Sequence, residues 1–257
     1  MRSAIGLVAC LLTLAGCAAE SSRYARGLET VEEEEPFVVD STSSQFVRHL
    51  NIGTSREGQA IRAMTVGNGD DVTLVVAGIH GNEQAGIALA EQLVTDAAGG
   101  GWLGDTTLVV VPVLNPDGVA NNRRYNARNV DLNRNWPSAN RIESASNNGR
   151  SPLSEPESAA LAKIIDRIKP NRVLTLHQPL SCVDWDGPGE SLARRMAEVC
   201  GLPAKQLGSR PGSMGSYLGV DLGIPTITLE LPRNADRQGE AERWERYGES
   251  LRLFVRG

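Results

Sequence analysis

Short apolar runs recur along the chain from Phe37 onward, and segments with the periodicity of amphipathic helices separate them. Nearly continuous apolar runs are typical of strands that are buried on both faces of a sheet. The pattern predicts strands at residues 60–66, 72–77, 107–113, 172–176 and 225–231, and helices at about 82–95, 155–168, 190–200 and 240–254. We therefore expect residues 37–257 to form a single α/β domain, with a mixed, mostly parallel central sheet and helices on both faces.

One of these helices has a recognisable start at Ser154-Glu155-Pro156-Glu157. Ser154 suits the N-cap position because its hydroxyl can accept a hydrogen bond from a backbone N–H of the first turn. Proline is well tolerated in that turn, and Glu157 could reach back to the N-cap N–H and close a capping box. We expect Ser154 to cap this helix.

The first 17 residues have the pattern of a targeting segment. Arg2 supplies a positive charge, and the apolar run at residues 5–14 is too short to span a bilayer stably. Leu14-Ala15-Gly16-Cys17 resembles the lipobox of bacterial lipoproteins, in which the cysteine is lipidated and becomes the mature N-terminus. We expect residues 1–17 to be a lipoprotein-type signal peptide and the exported protein to be membrane-anchored through Cys17, in the periplasm or at the cell surface. An ordinary secretory signal is the alternative.

The composition indicates a tether before the domain and limits the kinds of partner that the protein can bind. Residues 18–36 contain few large apolar side chains and include four consecutive glutamates, which predicts a flexible acidic tether. The net charge is −5 and no long basic run occurs, which argues against nucleic acid and anionic membrane surfaces as partners. Cys182 and Cys200 could form a disulfide in an oxidising compartment, and two buried free thiols are the alternative.

Charged side chains follow three of the predicted strands. His80 and Glu83 come after the strand at 72–77, His177 ends the strand at 172–176, and Glu230 ends a run of apolar and threonine residues. A charge at the end of a buried strand is costly without a partner or a metal, and this rim is where ligands bind in open α/β sheets. We expect the four side chains to meet at one edge of the sheet.

The residue types at these positions are those of a catalytic zinc site. Such a site uses about three protein ligands and one open position for water, and two histidines with one glutamate are an established ligand set. His80, Glu83 and His177 supply that set for one Zn²⁺ ion, although a structural role is the alternative for either histidine alone. Glu230 then remains as the general base that takes a proton from the water.

A further motif makes the pattern specific. Asn115-Pro116-Asp117-Gly118 is followed by Arg124-Tyr125-Asn126 and by Val130-Asp131-Leu132-Asn133-Arg134-Asn135. Together with the histidines and glutamates, and in the same order, these segments resemble the zinc carboxypeptidase family over roughly residues 50–232. The resemblance implies the fold, the zinc ion and the hydrolysis of a peptide bond next to a C-terminal carboxylate.

The resemblance also implies roles for individual residues. Asn133 and Arg134 would bind the terminal carboxylate of the substrate, for which a planar guanidinium is well suited. Arg124 would stabilise the developing oxyanion, and Asp131 would orient His80 from behind. Met214 stands at the position of the family's specificity residue, where it would line the pocket for the released residue.

The sequence departs from the family pattern at two places. Asn129 replaces a glycine, and asparagine tolerates a left-handed backbone better than most residues. Residues 206–211 contain no tyrosine, so the mobile tyrosine of the digestive members has no counterpart there.

Three local segments resemble the murein peptide amidase branch, namely 154–157, 177–182 and 211–216. That resemblance implies cleavage of γ-D-glutamyl–meso-diaminopimelate bonds in murein peptides. The alternatives are a general carboxypeptidase for ordinary L-peptides, an acyl-amino-acid deacylase and a non-catalytic wall-binding lipoprotein. The motifs at residues 115–118 and 130–135 favour the peptidases over the deacylase, and the presence of Glu230 beside a full ligand set argues against a non-catalytic protein.

Overall fold

The computed structural model describes residues 46–143 and 146–257, which lie within one compact unit of the chain. The predicted signal peptide with Cys17 and the predicted tether lie outside the described residues. The described residues form seven strands and five α-helices, besides short 3₁₀ and π segments: β1 (Arg48–Thr54), β2 (Ala60–Val66), β3 (Asp71–Val76), α1 (Ala85–Gly100), β4 (Thr106–Val111), α2 (Pro116–Ala120), α3 (Pro156–Ile168), β5 (Arg172–His177), β6 (Leu180–Asp186), α4 (Glu190–Cys200), β7 (Thr226–Pro232) and α5 (Glu240–Arg256). No helix among them is long and apolar enough to cross a membrane.

All seven strands belong to one sheet with the order β1-β2-β4-β3-β5-β7-β6. The four central strands, β4, β3, β5 and β7, run parallel to one another. The flanking strands β1, β2 and β6 are antiparallel to their neighbours. This confirms the prediction of an α/β fold with a mixed sheet whose centre is parallel.

Each face of the sheet has its own apolar core. Leu174 and Leu176 of β5 face the cluster that contains buried residues of α1, α4 and α5, whereas Val173 faces a second cluster under α3. Helix α1 joins the first cluster through Ala85, Leu89 and other residues spaced four apart, which places them on one side of the helix. The prediction that helices cover both faces is therefore confirmed.

Two strands were not predicted, and both are edge strands. β1 contains Arg48, His49 and Asn51, and β6 contains Asp184 and Asp186. Each pairs with one strand of the sheet, and Val183 of β6 also bridges to Ala204 on the other side. Polar residues interrupt the apolar pattern of both strands. The search for continuous apolar runs therefore did not pick out β1 or β6.

The predicted capping box at α3 is wrong. The helix starts at Pro156 with Glu155 as its extended N-cap residue, and no side chain caps it. The Ser154 hydroxyl instead donates to Glu155 and accepts from Asn135. The Glu157 carboxylate accepts a hydrogen bond from the backbone N–H of Arg56. Ser154 and Glu157 therefore form hydrogen bonds elsewhere in the fold instead of capping the helix.

The possible disulfide between Cys182 and Cys200 is not formed, and both are buried free thiols. Side chains alternate between the two faces of a strand. Val183 of β6 lies in the first core cluster together with Cys200, so Cys182 points to the opposite face. A bridge would have to cross the sheet, so of the two alternatives the structure has the buried free thiols.

Candidate active site

The carboxyl ends of β3, β5 and β7 bring the predicted site residues together. The loop after β3 carries His80 and Glu83, and His177 of β5 is the direct neighbour of Glu230 in β7. The loop is tightly seated, because a Cβ atom on Gly81 would lie 2.0 Å from the carbonyl carbon of Gly118. Glycine at residue 81 therefore allows the loop after β3 to approach helix α2.

His80, Glu83 and His177 form one buried cluster. Their ligand atoms all lie within 4.8 Å of one another. Nδ1 of His80 lies 2.9 Å from Oε1 of Glu83, and Nδ1 of His177 lies 2.8 Å from Oε2 of the same carboxylate. Three ligands from two donor types that converge on one point fit a zinc ion, and a water molecule could complete the coordination.

Asp131 holds His80 from the side opposite to the cluster. Its Oδ1 lies 3.1 Å from Nε2 of His80 and also accepts a hydrogen bond from the backbone N–H of Asn133. A proton on Nε2 leaves Nδ1 free to coordinate a metal. The contact predicted from sequence is therefore present in the structure.

The electrostatics of the cluster favour ionised carboxylates. Burial alone would raise the pKa of Glu83, but hydrogen bonds from His177 and His80 hold it well below its usual range. Burial opposes ionisation of Asp131 as well, and its contact with His80 lowers its pKa. Burial would lower the pKa of His80, yet Asp131 and Glu83 raise it. The two carboxylates thus supply the negative charge that a divalent cation needs.

Glu230 differs from these carboxylates. It is only partly buried, and its Oε2 accepts a hydrogen bond of 3.3 Å from the backbone N–H of Leu180. Burial raises the pKa of Glu230, an effect that the positive charge of a protonated His177 would reduce. A carboxylate with a raised pKa beside the metal ligands is suited to accept and return a proton.

Arg124 lies at the edge of the cluster. Its Nη1 donates to Oε1 of Glu83 at 3.0 Å, and its Nε and Nη2 both donate to Oδ2 of Asp131. With 37% of its side chain exposed, the guanidinium borders the cavity and can meet a substrate oxygen there.

Asn133 and Arg134 come from a 3₁₀ turn at Leu132–Arg134, and both line the cavity. The side-chain oxygen of Asn133 accepts from the backbone N–H of Met214, which fixes the turn against the segment that follows Arg210. Met214 also borders the cavity, but it is only 1% exposed and belongs to the second core cluster. Most of its side chain therefore contributes to the core rather than to the cavity surface.

Asn126 builds the loop that presents Arg124 and Asp131. Its side-chain oxygen accepts from two backbone N–H groups of the loop, and its amide donates to Glu155 and Glu157. Asn129 has a φ of 61°, so the left-handed conformation of the family's glycine is retained. No sequence pattern had singled out Asn126 or the two glutamates as supports of this loop.

The cavity beside the cluster has a volume of about 250 Å³. Leu207 and Arg210 of the lining belong to the polar stretch 205–210, which the sequence suggests as a source of contacts to the substrate side chain. The lining also includes residues that the sequence had not assigned, among them Thr175, Gln178, Leu180, Asp184, Asp186 and Thr228. A period-two alternation of Cys182-Val183-Asp184-Trp185-Asp186 was the available signal, because it indicates a strand with one apolar and one polar face.

Comparison with known proteins agrees with this geometry. The zinc carboxypeptidase family matches residues 38–182 of the chain. The chain belongs to this family and is a zinc metallopeptidase, and the cluster of His80, Glu83 and His177 could hold its zinc ion.

Within the family, the chain is similar to murein peptide amidases and to a γ-D-glutamyl-L-diamino acid endopeptidase. Murein peptide amidase A of Escherichia coli K12 is 35% identical over 179 residues, which cover 62% of this chain and 70% of the relative. Gamma-D-glutamyl-L-diamino acid endopeptidase 1 of Lysinibacillus sphaericus is 26% identical over 270 residues, covering 84% and 68%. The crystal structure of murein-tripeptide amidase MpaA from E. coli O157 has a TM-score of 0.63 and 28% identity, and the match covers 81% of this chain and 92% of that one.

Proposed function

We propose that this peptidase hydrolyses the amide bond between γ-D-glutamate and meso-diaminopimelate in murein peptides. One observation carries the proposal: the cavity beside the metal-ligand cluster is lined by both cationic and anionic side chains, Arg134 and Arg210 with Asp184 and Asp186. Diaminopimelate carries a free carboxylate next to the scissile bond and a zwitterionic head at the far end of its side chain. The names of the similar enzymes support the same substrate class.

The protein residues divide the work of hydrolysis. Bound zinc supplies Lewis-acid polarisation of the scissile carbonyl and lowers the pKa of a water molecule. Glu230 takes the proton of the attacking water and delivers it to the nitrogen of the leaving amine. Arg124 donates hydrogen bonds to the carbonyl oxygen as negative charge develops on it. The balance is one water consumed, one C–N bond broken and one amine and one carboxylic acid released.

Arg134 and Asn133 orient the substrate by its terminal carboxylate. Burial lowers the pKa of Arg134, although a guanidinium stays charged near neutral pH. A planar guanidinium can bind a carboxylate through two parallel hydrogen bonds, which fixes the direction of the adjacent amide bond. The requirement for a free carboxylate follows from this contact.

Anchoring through Cys17 is a second part of the proposal. A lipid at the end of an acidic tether of about twenty residues would keep the enzyme at a membrane surface and within reach of the wall. Replacement of Cys17 by serine is expected to release the protein into the soluble fraction, and unchanged membrane fractionation would contradict the anchor.

One feature favours a general carboxypeptidase as the second candidate. Leu180 and Leu207 add apolar surface to the cavity, which could accept the apolar C-terminal residue of an ordinary L-peptide.

Values of kcat/KM decide between the candidates. The purified zinc enzyme is assayed with L-Ala-γ-D-Glu-meso-diaminopimelate and with an L-peptide that ends in leucine, and Glu230→Gln serves as the inactive control. We expect clear preference for the murein tripeptide. Equal or better cleavage of the leucine peptide would support the general carboxypeptidase instead.

A further inference from the structure

The cavity floor is a polar surface formed by three neighbouring strands. In the register of β6 and β7, Cys182 lies opposite Glu230, Asp184 opposite Thr228 and Asp186 opposite Thr226. Residues two apart in a strand share a face, so Asp184 and Asp186 lie on the face that carries Glu230. At about 3.4 Å per residue, Asp184 and Asp186 lie about 7 Å and about 14 Å along β6 from the level of Glu230, in the direction away from His177. A substrate side chain that points away from the scissile bond could therefore follow this floor.

Asp184 and Asp186 are buried carboxylates without a cationic partner. Each is only 8% exposed. Oδ1 of Asp184 accepts from the backbone N–H of Leu207 at 2.8 Å, and Oδ1 of Asp186 accepts from the hydroxyl of Ser209. Within residues 46–143 and 146–257, no ion pair with a lysine, arginine or histidine reaches either carboxylate. A buried charge of this kind is costly unless a partner of opposite charge binds to it.

Neighbouring negative charges add to the free-energy cost of ionising Asp184. Burial raises the pKa of Asp184 to about 6, and the charges of Asp186 and Glu230 act in the same direction. Both aspartates line the cavity, so a cation that enters it can reach them. The floor thus carries two carboxylates that form no ion pair with a basic side chain of the described residues.

Arg210 supplies charge of the opposite sign at the same cavity. It follows directly after the segment that bonds to the two aspartates, and its charge lowers the pKa of Arg134. Arg134 is already assigned to the terminal carboxylate in the proposed function. Arg210 therefore remains available for a second carboxylate.

We propose that Asp184, supported by Asp186, binds the ammonium group at the far end of the substrate's C-terminal side chain, and that Arg210 binds the carboxylate on the same carbon. The inference rests on the proposed function and adds the residues that read the side chain. The enzyme would select a substrate side chain that ends in an ammonium and a carboxylate group, and the selecting residues would be the two aspartates and Arg210 rather than Met214.

Three tripeptides separate the two contacts. All begin with L-Ala-γ-D-Glu and end in meso-diaminopimelate, in lysine, which lacks the distal carboxylate, or in L-2-aminopimelate, which lacks the distal ammonium. In Asp184→Asn, the amide oxygen can still accept from Leu207, so the fold is preserved while the charge is lost. The exposed carboxylate of Asp166 on α3 provides a matched control, Asp166→Asn.

For Asp184→Asn, kcat/KM should fall about 10- to 100-fold with the diaminopimelate and lysine peptides, the scale of a hydrogen bond to a charged group. It should change less than about threefold with the aminopimelate peptide. Arg210→Gln should show the complementary pattern, with losses for diaminopimelate and aminopimelate but not for lysine. Asp166→Asn should behave as the wild type. Equal losses of Asp184→Asn with all three peptides, or no loss with any, would overturn the assignment.

Binding measurements keep the two proposals separable. Calorimetric titration of the three peptides into zinc-loaded Glu230→Gln, with and without Asp184→Asn, reports the side-chain contacts without turnover. Absence of wild-type cleavage of all three peptides would contradict the proposed hydrolysis. Equal affinities for the diaminopimelate and aminopimelate peptides would contradict the ammonium site, whatever the turnover.

Discussion

Strands β5, β7 and β6 carry apolar side chains on one face of the sheet and polar side chains on the other. On the face covered by α1, α4 and α5, strands β5, β7 and β6 place apolar residues: Leu174, Leu176, Val183, Trp185, Ile227 and Leu229. On the opposite face the alternate positions are polar: Thr175, His177, Asp184, Asp186, Thr228 and Glu230. A shift of one residue in register would exchange the two sets, so the stability of the apolar face fixes the geometry of the polar one.

The polar face is also divided along the sheet. Under α3, strands β3 and β4 present buried apolar residues such as Leu74, Val76 and Val111, whereas the cavity begins at β5. Hydrogen bonds support part of the cavity floor, for example between the hydroxyls of Thr175 and Thr228 at 2.9 Å. On this face, the part of the sheet under α3 packs as an apolar core, and the part formed by β5, β7 and β6 lines the cavity.

Loss of a metal ligand should have the largest effect on the polar face. His177→Ala removes one of three ligands from the cluster, so zinc content and activity should both fall to background. Zinc stoichiometry by atomic spectroscopy and a peptidase assay measure this. His49→Ala is the matched control, because His49 lies in β1, outside the cluster. Retained stoichiometric zinc in His177→Ala would contradict the ligand set.

Loss of the general base should come next. Glu230→Gln is expected to lower kcat by about 10²- to 10⁴-fold, the range for a positioned proton-transfer group, while zinc stays bound. Glu190→Gln, an exposed change on α4, should leave kcat unaltered. Near-normal turnover of Glu230→Gln with full zinc content would remove Glu230 from this role.

The apolar face should respond in stability instead. Leu176→Ala is expected to reduce the free energy of unfolding by about 2–5 kcal/mol, because it leaves a cavity between β5 and α1. Urea titration followed by circular dichroism gives the value. Leu222→Ala, at a position that is 51% exposed, should cost less than about 0.5 kcal/mol. Similar costs for both changes would mean that the first core cluster is looser than its burial indicates.

Replacement of Asp131, which contacts the metal ligand His80, should have an intermediate effect on zinc binding and catalysis. Asp131→Asn removes the charge that orients His80 and pairs with Arg124, so zinc affinity or kcat/KM should fall about 10- to 100-fold. Competition with a chelator measures the affinity. Asp105→Asn, on the surface, should match the wild type. Unchanged affinity and unchanged kcat/KM would show that Asp131 only supports the 3₁₀ turn.

The sequence predicted the site better than it predicted the edges of the fold. Buried strands and the charges at their ends are local patterns, and they located His80, Glu83, His177 and Glu230. Asp184 was not found, because its role depends on the pairing of β6 with β7, and an edge strand with carboxylates has a weak strand signal. The helix cap at Ser154 failed for a similar reason, since Asn135, distant in sequence, binds that hydroxyl.

The smallest expected effect is on the free energy of unfolding, which the buried charge of Asp184 should lower. The pKa of Asp184 is raised to about 6 in the folded enzyme, above its usual value of about 3.8. A raised carboxyl pKa means that the folded state binds the proton more tightly than the unfolded state does, so stability is lost as pH rises through this window. Asp184→Asn should therefore stabilise the substrate-free enzyme at pH 8 by an amount on the order of 1 kcal/mol.

Below about pH 3 the difference between Asp184→Asn and the wild type should vanish, because the aspartate is then largely protonated in both the folded and the unfolded state. Urea unfolding of both proteins at several pH values measures the difference, and Asp166→Asn controls for an exposed carboxylate. The mutant should gain stability while it loses selectivity for the ammonium-bearing peptides. A mutant that is less stable than the wild type at pH 8 would show that Asp184 is a structural support for Leu207, and that its charge does not oppose folding.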